Sequence, residues 1–291
     1  MNKKSKQSWK KKILLLLCLL SLFMYFEIWR SYHHPIVNLY EVQGEQIASS
    51  VRLVVLGDLH DCVLGEENAD VIACVKEQEP DLILMAGDMI NEDSEDAEKV
   101  MHLIEELSQT APVYYALGNH ELVYMETHPE FYEEIETAGA TILEKTYQDI
   151  NIDGNILRIG GMYDYAFGND WENTAQKAPQ EIQDFLREFG NTSAYKIMIS
   201  HRPDSFIFGN AAKYWNVDLV VSAHNHGGQV VLPLIGGLYG GDQGWFPKYI
   251  HGLYEVGKMK VFATSGLGSE EQLLPRWNNP PEVAVIQLVP Q

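Results

Sequence analysis

Three cysteines in 291 residues are too few for a disulfide framework. Cys18 lies inside an apolar run, no four-residue metal spacing involves the other two, and Cys62 and Cys74 are expected as free thiols. Basic side chains are also scarce beyond the N-terminus. Residues 1–30 hold seven of the 21 Lys and Arg but one of the 41 Asp and Glu. Residues 31–291 therefore carry 14 basic against 40 acidic side chains, a surplus of 26 negative charges. A surface that acidic repels phosphate backbones and argues against a dedicated nucleic-acid binder. It suits an anionic ligand only where bound metal dominates the pocket charge.

Small residues are missing where a signal peptidase would need them. Lys3, Lys4, Lys6 and Lys10 to Lys12 precede an apolar run from Ile13 to Phe26, and Phe23 to Trp29 offers no small side chain. Residues 1–30 thus read as an uncleaved transmembrane anchor. Its 17 apolar-segment residues, as a helix, would span about 25 Å against a ~30 Å hydrocarbon core. The positive-inside rule puts the N-terminus in the cytoplasm and the remainder of the chain outside the cell membrane. Export followed by signal cleavage is the alternative. Residues 31–50 read as a linker and residues 51–291 as one folded domain, since no second linker divides them.

Within that domain, strand and helix patterns alternate. Val51–Leu56, Asp81–Ala86 and Val113–Leu117 are continuous apolar strands, with helices expected over about Glu66–Gln78 and Ser94–Ser108. Ser94 is the expected N-cap of the second. This βαβαβ order implies a parallel sheet covered by helices. A helix near Pro129–Ala138 leads to short strands around Thr141, Asn151 and Ile156–Ile159. A second set follows: a helix at Pro179–Phe189, strands at Lys196–Ile199 and Val217–Ser222, then Tyr249–Val256, Lys260–Thr264 and Val283–Leu288. The expected architecture is α/β: a four-layer α/β/β/α sandwich of two packed mixed sheets flanked by helices.

Nearly every chemistry-bearing cluster closes one of these strands. Asp58-Leu-His60, Gly87-Asp88, Gly118-Asn119-His120-Glu121, Ser200-His201 and His224-Asn225-His226-Gly227-Gly228 follow strand ends. Open α/β sheets bind ligands there. Asp and His in this pattern point to a two-metal hydrolytic centre: Asp58 and His60 can face one ion, and Asp88 is placed to bridge to a second. Alternate residues at a strand end share a face, which would make Asp58 and His60, and likewise His224 and His226, converge. Singly, each cluster could be no more than a turn.

In this order the clusters resemble the calcineurin-like metallophosphoesterases, over essentially residues 51–289. The later His226-Gly-Gly-Gln-Val-Val-Leu-Pro, Gly266-Leu-Gly, Pro275-Arg276 and Pro281-Glu282 resemble the membrane-associated bacterial YkuE/YaeI-type phosphodiesterase branch. The resemblance implies a metal-dependent phosphoester hydrolase with two divalent ions, Mn, Fe or Zn. One ion would be held by Asp58, His60, Asp88 and His226, the other by Asp88, Asn119, His201 and His224. It further implies a metal-bound hydroxide attacking phosphorus, with His120 stabilising or protonating the leaving oxygen.

Gly227, Gly228 and Arg276 are candidate substrate contacts. A phosphodiester or pyrophosphate is the expected substrate, either small or lipid-linked in the envelope. A phosphomonoester, or a catalytically weak metal-binding surface protein of the same fold, are the alternatives. Asn91 bears on the last of these, because it stands where many family members place an Asp that orients the histidine equivalent to His120. Ala223 replaces a usual Gly. The aromatics Tyr239, Trp245, Phe246, Tyr249 and Tyr254 are expected in the core or pocket wall.

Overall fold

A computed structural model describes residues 3–162, 165–168, 174–269 and 274–291. An N-terminal helix, α1 (Lys3–His33), is followed by β1 (Ile36–Gly44), β2 (Val51–Leu56), α2 (Ala69–Glu77), β3 (Leu82–Met85), α3 (Glu98–Ser108) and β4 (Val113–Tyr115). Then come α4 (Asn119–Tyr124), α5 (Phe131–Thr137), β5 (Ala140–Ile142), β6 (Thr146–Ile152), β7 (Asn155–Met162) and α6 (Gln180–Gly190). The second half adds β8 (Tyr195–Ser200), α7 (Asp204–Phe208) and β9 (Leu219–Ser222). Four two-residue strands follow: β10 (Val231–Leu232), β11 (Gly236–Gly237), β12 (Tyr239–Gly240) and β13 (Gly244–Trp245). The chain closes with β14 (Gly252–Val256), β15 (Met259–Ala263) and β16 (Glu282–Pro290).

Two six-stranded mixed sheets result, ordered β1-β16-β2-β3-β4-β5 and β14-β15-β9-β8-β7-β6. Strand alternation assigns the layers. Val51, Leu53 and Val55 of β2 face the inter-sheet core together with Ile197, Ile199, Leu219, Val221 and Phe262 of the second sheet. Val54 and Leu56 face the other way, onto Val100, Leu103, Ile104 and Leu107 of α3. Those four recur at helical spacing on one stripe of α3. Met198, Val220 and Val261 turn outward from the second sheet onto Leu186 and Phe189 of α6. The expected four-layer α/β/β/α sandwich is observed.

Three local expectations change. Helix α3 begins at Glu98 rather than near Ser94, because the Ser94 hydroxyl is drawn off to the Asp61 carboxylate and the Asn91 carbonyl. The helix expected from Glu66 breaks into a short 3-10 turn and α2, with left-handed backbone at Glu67 and Asn68 between them. Residues 31–50, read as a linker, supply β1, which pairs in parallel with β16 from Ile36↔Glu282 to Gly44↔Pro290. Its nine residues mix Asn38, Glu41 and Gln43 with the apolar ones and leave most of the strand exposed, so no continuous apolar run marked an edge strand in the sequence. The three cysteines are unpaired, as expected.

Helix α1 is longer than its apolar run. Trp9–His33, 25 residues and almost wholly exposed along its length, is long and apolar enough to cross a membrane. Its final turns dock on the domain. The Tyr32 hydroxyl accepts the Arg276 N–H at 3.0 Å, Ser31 Oγ accepts the Asn279 N–H at 3.2 Å, and Phe23 meets Trp277 edge-on at 6.3 Å.

Candidate metal centre

The parallel strands β2, β3, β4, β8 and β9 end at one rim, and their following loops meet there. These loops are cross-linked by their own backbones: Asp58 N–H donates to Gly87 O, His60 N–H to Asp88 O, and Ala223 N–H to His201 O. Asp58, His60, Asp88, His224 and His226 all have left-handed backbone, with φ between 44° and 72°. Non-glycine residues rarely hold that conformation unless their surroundings over-determine it. Convergence of Asp58 with His60, and of His224 with His226, therefore comes from left-handed turns. The extended-strand alternation expected from sequence is not the cause.

Two triads form. The ligand atoms of Asp58, His60 and His226 lie within 4.8 Å of one another, as do those of Asp88, His201 and His224. Asp88 links them: its Oδ2 is 3.8 Å from His60 Nε2 and 2.9 Å from His201 Nε2. His60, Asp88 and His120 make a third such group. Asn119 opens α4 beside them, and its Oδ1 accepts from the Arg202 guanidinium at 3.2 Å.

Donor chemistry fits a cation. Asp58 Oδ2, His60 Nε2, His224 Nε2 and His226 Nδ1 are buried without a hydrogen-bond partner, a costly arrangement in a protein interior unless something charged sits among them. The rings are also held in ligating tautomers. His60 Nδ1 donates to Asn91 Oδ1 at 2.9 Å, so its Nε2 presents a lone pair inward, and His201 Nδ1 donates to Ala86 O at 2.7 Å, turning its Nε2 toward Asp88. Burial, reinforced by the neighbouring His226, lowers His60 to about 3, and burial lowers His224 to about 4; both rings are neutral. His201 differs. Burial pushes it down, but the adjacent Asp88 carboxylate outweighs burial and lifts it to about 9.

His120 N–H donates to Asp88 Oδ1 at 2.9 Å, and its Nδ1 accepts from Glu92 N–H at 3.1 Å. In the neutral ring the proton then sits on Nε2, 4.0 Å from Asp88 Oδ2. Asn91, expected beside His120, instead orients His60. The chain direction after β3 carries its amide to Asp61 and His60.

Two substrate-contact expectations fail on geometry. Arg276 is fully buried, and its guanidinium donates to the carbonyls of Asn279, Gly268, Gly266 and Pro280. It clamps the loop after β15 and has no face toward a ligand. Gly228 N–H donates to Asn225 O at 2.7 Å, so that amide is committed to the turn. Gly227 is needed for packing: a Cβ there would lie 2.6 Å from Asn279 Oδ1.

Sequence reasoning missed the supports. Glu121, read only as the end of the Gly118-Asn119-His120-Glu121 cluster, is buried and accepts from Asp88 N, Met89 N, Gly118 N and the Tyr115 hydroxyl. Its signal was readable as a carboxylate three residues past the glycine at a helix start. Arg202 reaches Asn119, stacks on Tyr165 at 4.2 Å and pairs with Asp242. Asp242 lies 40 residues further along the chain and has no local signal.

Fold and site together are of one class, a four-layer α/β/β/α sandwich with a cluster of metal-ligand side chains at its strand ends. The chain belongs to the calcineurin-like phosphoesterase family, whose model matches residues 51–228. Its relatives include a metallophosphoesterase of Campylobacter jejuni, 29% identical over 260 residues, which cover 87% of this chain and 63% of that protein. The metallophosphoesterase YkuE of Bacillus subtilis (strain 168) is 28% identical over 244 residues, 81% of this chain and 78% of its own. The phosphodiesterase YaeI of Escherichia coli (strain K12) is 28% identical over 246 residues, 83% of each chain. Among solved structures, the sulfate thiohydrolase SoxB of Thermus thermophilus superposes with a TM-score of 0.50 at 11% identity. It covers 83% of this chain and 57% of that one, and the likeness concerns the fold alone.

Proposed function

We propose that this protein is a dinuclear phosphodiesterase or pyrophosphohydrolase of the cell envelope. One divalent ion would be held by Asp58, His60, Asp88 and His226, and a second by Asp88, Asn119, His201 and His224. Helix α1 would anchor the chain in the cell membrane with the metal centre outside the cytoplasm, near lipid-linked phosphoesters. The observation that carries the reading is the convergence of four unpartnered buried ligand atoms, on Asp58, His60, His224 and His226, around the Asp88 carboxylate. Relatedness to the phosphodiesterase YaeI supports a diester over a monoester.

Divalent ions there would polarise a phosphoryl oxygen and make water acidic enough to attack near neutral pH. The chain's own residues do the rest. Asp88 and the imidazoles fix the site's geometry before substrate arrives. Arg202, at the rim beside Asn119, offers guanidinium charge to a phosphoryl oxygen. His120 turns Nε2 toward the centre and is positioned to hydrogen-bond and stabilise the departing oxygen.

Asp88→Asn and His224→Ala should each abolish hydrolysis of bis-p-nitrophenyl phosphate in Mn²⁺ while the protein stays folded. Wild-type-like turnover by either purified variant defeats the two-ion assignment. Comparing p-nitrophenyl phosphate with the diester separates monoesterase from diesterase. The alternative, a non-catalytic metal-binding role, drew on Asn91 standing where a carboxylate would partner His120; Asn91 instead bonds His60, and turnover with added Mn²⁺ decides between the two readings.

A further inference from the structure

Between the metal centre and the docked end of α1 lies a segment unlike the rest of the surface. Residues 230–250 contain one acid, Asp242, and one base, Lys248, in a chain otherwise dense with acids. Asp242 is paired with Arg202. The two small hairpins β10–β11 and β12–β13 hold large apolar side chains out from the body. Leu234 is fully exposed, Ile235 is 65% exposed, Trp245 57% and Phe246 61%. Tyr239 stacks edge-on against Trp245 at 5.5 Å. The expectation that these aromatics fill the core or a pocket wall is therefore wrong for Tyr239, Trp245 and Phe246.

Their exposure is built in. Leu234 and Phe246 hold left-handed backbone, φ 69° and 56°, which bulky residues avoid. Strained, exposed apolar side chains at the β10–β11 tip (Leu234) and just past β13 (Phe246) indicate a retained feature rather than an accident of packing.

The segment is continuous with the anchor. Val231 N–H donates to Trp277 O, Asn278 Nδ2 donates to Val231 O, and Trp277 packs on Phe23 of α1. On its other side the segment touches the site. Leu238 N–H donates to Gly228 O, and Gly241 approaches so closely that a Cβ there would lie 2.9 Å from His224 Nε2.

We propose that residues 230–250 form a lipid-contacting apron that dips its exposed apolar side chains, from the β10–β11 tip and the outer side of β12–β13, into the same bilayer face from which α1 emerges, fixing the metal centre at headgroup level. Exposed tryptophan, tyrosine and phenylalanine, as on β12 and β13 and just beyond, suit the interface between acyl chains and headgroups. The acidic domain would be pushed off an anionic leaflet, so attachment here is by apolar insertion. The apron rests on the reading of α1 as an anchor, and its consequence is that a phosphoester at the membrane surface meets the site without leaving the bilayer.

The full chain with Cys18, Cys62 and Cys74 replaced by Ser takes a single environment-sensitive label at Leu234→Cys. A second preparation carries it at Ile156→Cys, an exposed position at the start of β7. Flotation with phosphatidylcholine vesicles reports the anchor separately. On floating protein, the label at 234 should shift to the blue and be quenched by spin-labelled lipid, while that at 156 remains water-like. Water-like emission at both positions on vesicle-bound protein overturns the apron and leaves the anchor standing. An apolar signal at 234 without lipid, rising with protein concentration, marks a second copy as the occupant and overturns it too. Leu234→Asp with Ile235→Asp should lower hydrolysis of a vesicle-embedded phosphodiester at least tenfold and leave bis-p-nitrophenyl phosphate turnover unchanged. Equal rates on both substrates contradict the proposal.

Discussion

His60 Nδ1 donates a 2.9 Å hydrogen bond to Asn91 Oδ1, and Asn91 Nδ2 returns one to His60 O at 3.3 Å. This reciprocal clasp fixes both the ring orientation and the tautomer of a ligand candidate, leaving Nε2 free to bind. Asn91→Ala should therefore weaken Mn²⁺ binding by about 10- to 100-fold. Asn91→Asp keeps the acceptor for His60 but sets a carboxylate oxygen against Asp61 Oδ2, 3.0 Å from the present amide, so its affinity should fall between Asn91→Ala and wild type. Calorimetric titration of the metal-stripped proteins checks both. Unchanged affinity in Asn91→Ala would show that the clasp is incidental.

Glu121 carries more of the site's architecture than any ligand. Its two oxygens satisfy three backbone amides, from Asp88, Met89 and Gly118, and the Tyr115 hydroxyl, all between 2.7 and 2.8 Å. Removing the carboxylate strands several buried donors at about 1–3 kcal/mol each. Glu121→Ala should thus cost about 3–5 kcal/mol of stability, or prevent folding. Urea unfolding measures it. A cost under about 1 kcal/mol would mean that water replaces the carboxylate.

Gly118 tests how tightly the Asp88 bridge is packed. A Cβ at 118 would fall 2.1 Å from Asp88 Oδ1 and 2.6 Å from Asp88 N. Backbone φ at Gly118 is −94°, open to any residue, so space alone demands glycine here. Gly118→Ala should displace Asp88, lowering metal stoichiometry from two ions toward one and removing activity. Metal content by elemental analysis decides. Two ions retained with full turnover would mean that the β3 loop yields.

These positions show what could and could not be read from the chain. Layers were legible because strand alternation and helical spacing are local: β2, β3, β8 and β9 and the stripe on α3 follow from short windows. The site residues announced themselves as Asp, Asn and His beside glycines at strand ends. What stayed hidden was non-local. Asn91 chooses His60, 31 residues away, through the path of a loop. Arg276 sits fully buried among carbonyls where a surface cation was expected, since nothing in Pro275-Arg276 foretells four acceptors around it. Edge strand β1 depends on pairing with β16, nearly the whole chain away.

That same closure of β1 on β16 builds a charged pair whose pH dependence can be worked out. Glu282, at the first register position, is fully buried and accepts from Asn38, Tyr40, Thr264, the Ser265 amide and His251. Burial pushes Glu282 up, but its hydrogen bond and charge pairing with His251 prevail and hold it at about 2. Burial pushes His251 down, and the Glu282 carboxylate more than compensates, raising it above 6.5. Glu282 therefore stabilises the fold above its unfolded value of 4.5 and loses that effect as pH falls toward about 2. His251 stabilises fully below 6.5 and loses its effect as pH rises through the raised value. The pair contributes most between those limits. His251→Gln should lower the urea midpoint most between about pH 5 and 6, and the gap to wild type should narrow as pH rises through the raised His251 value and the ring loses its charge. Glu282 keeps its four other donors throughout, so the fold itself survives the change. A gap that is constant from pH 5 to 9 would show that His251 acts there by shape and not by charge.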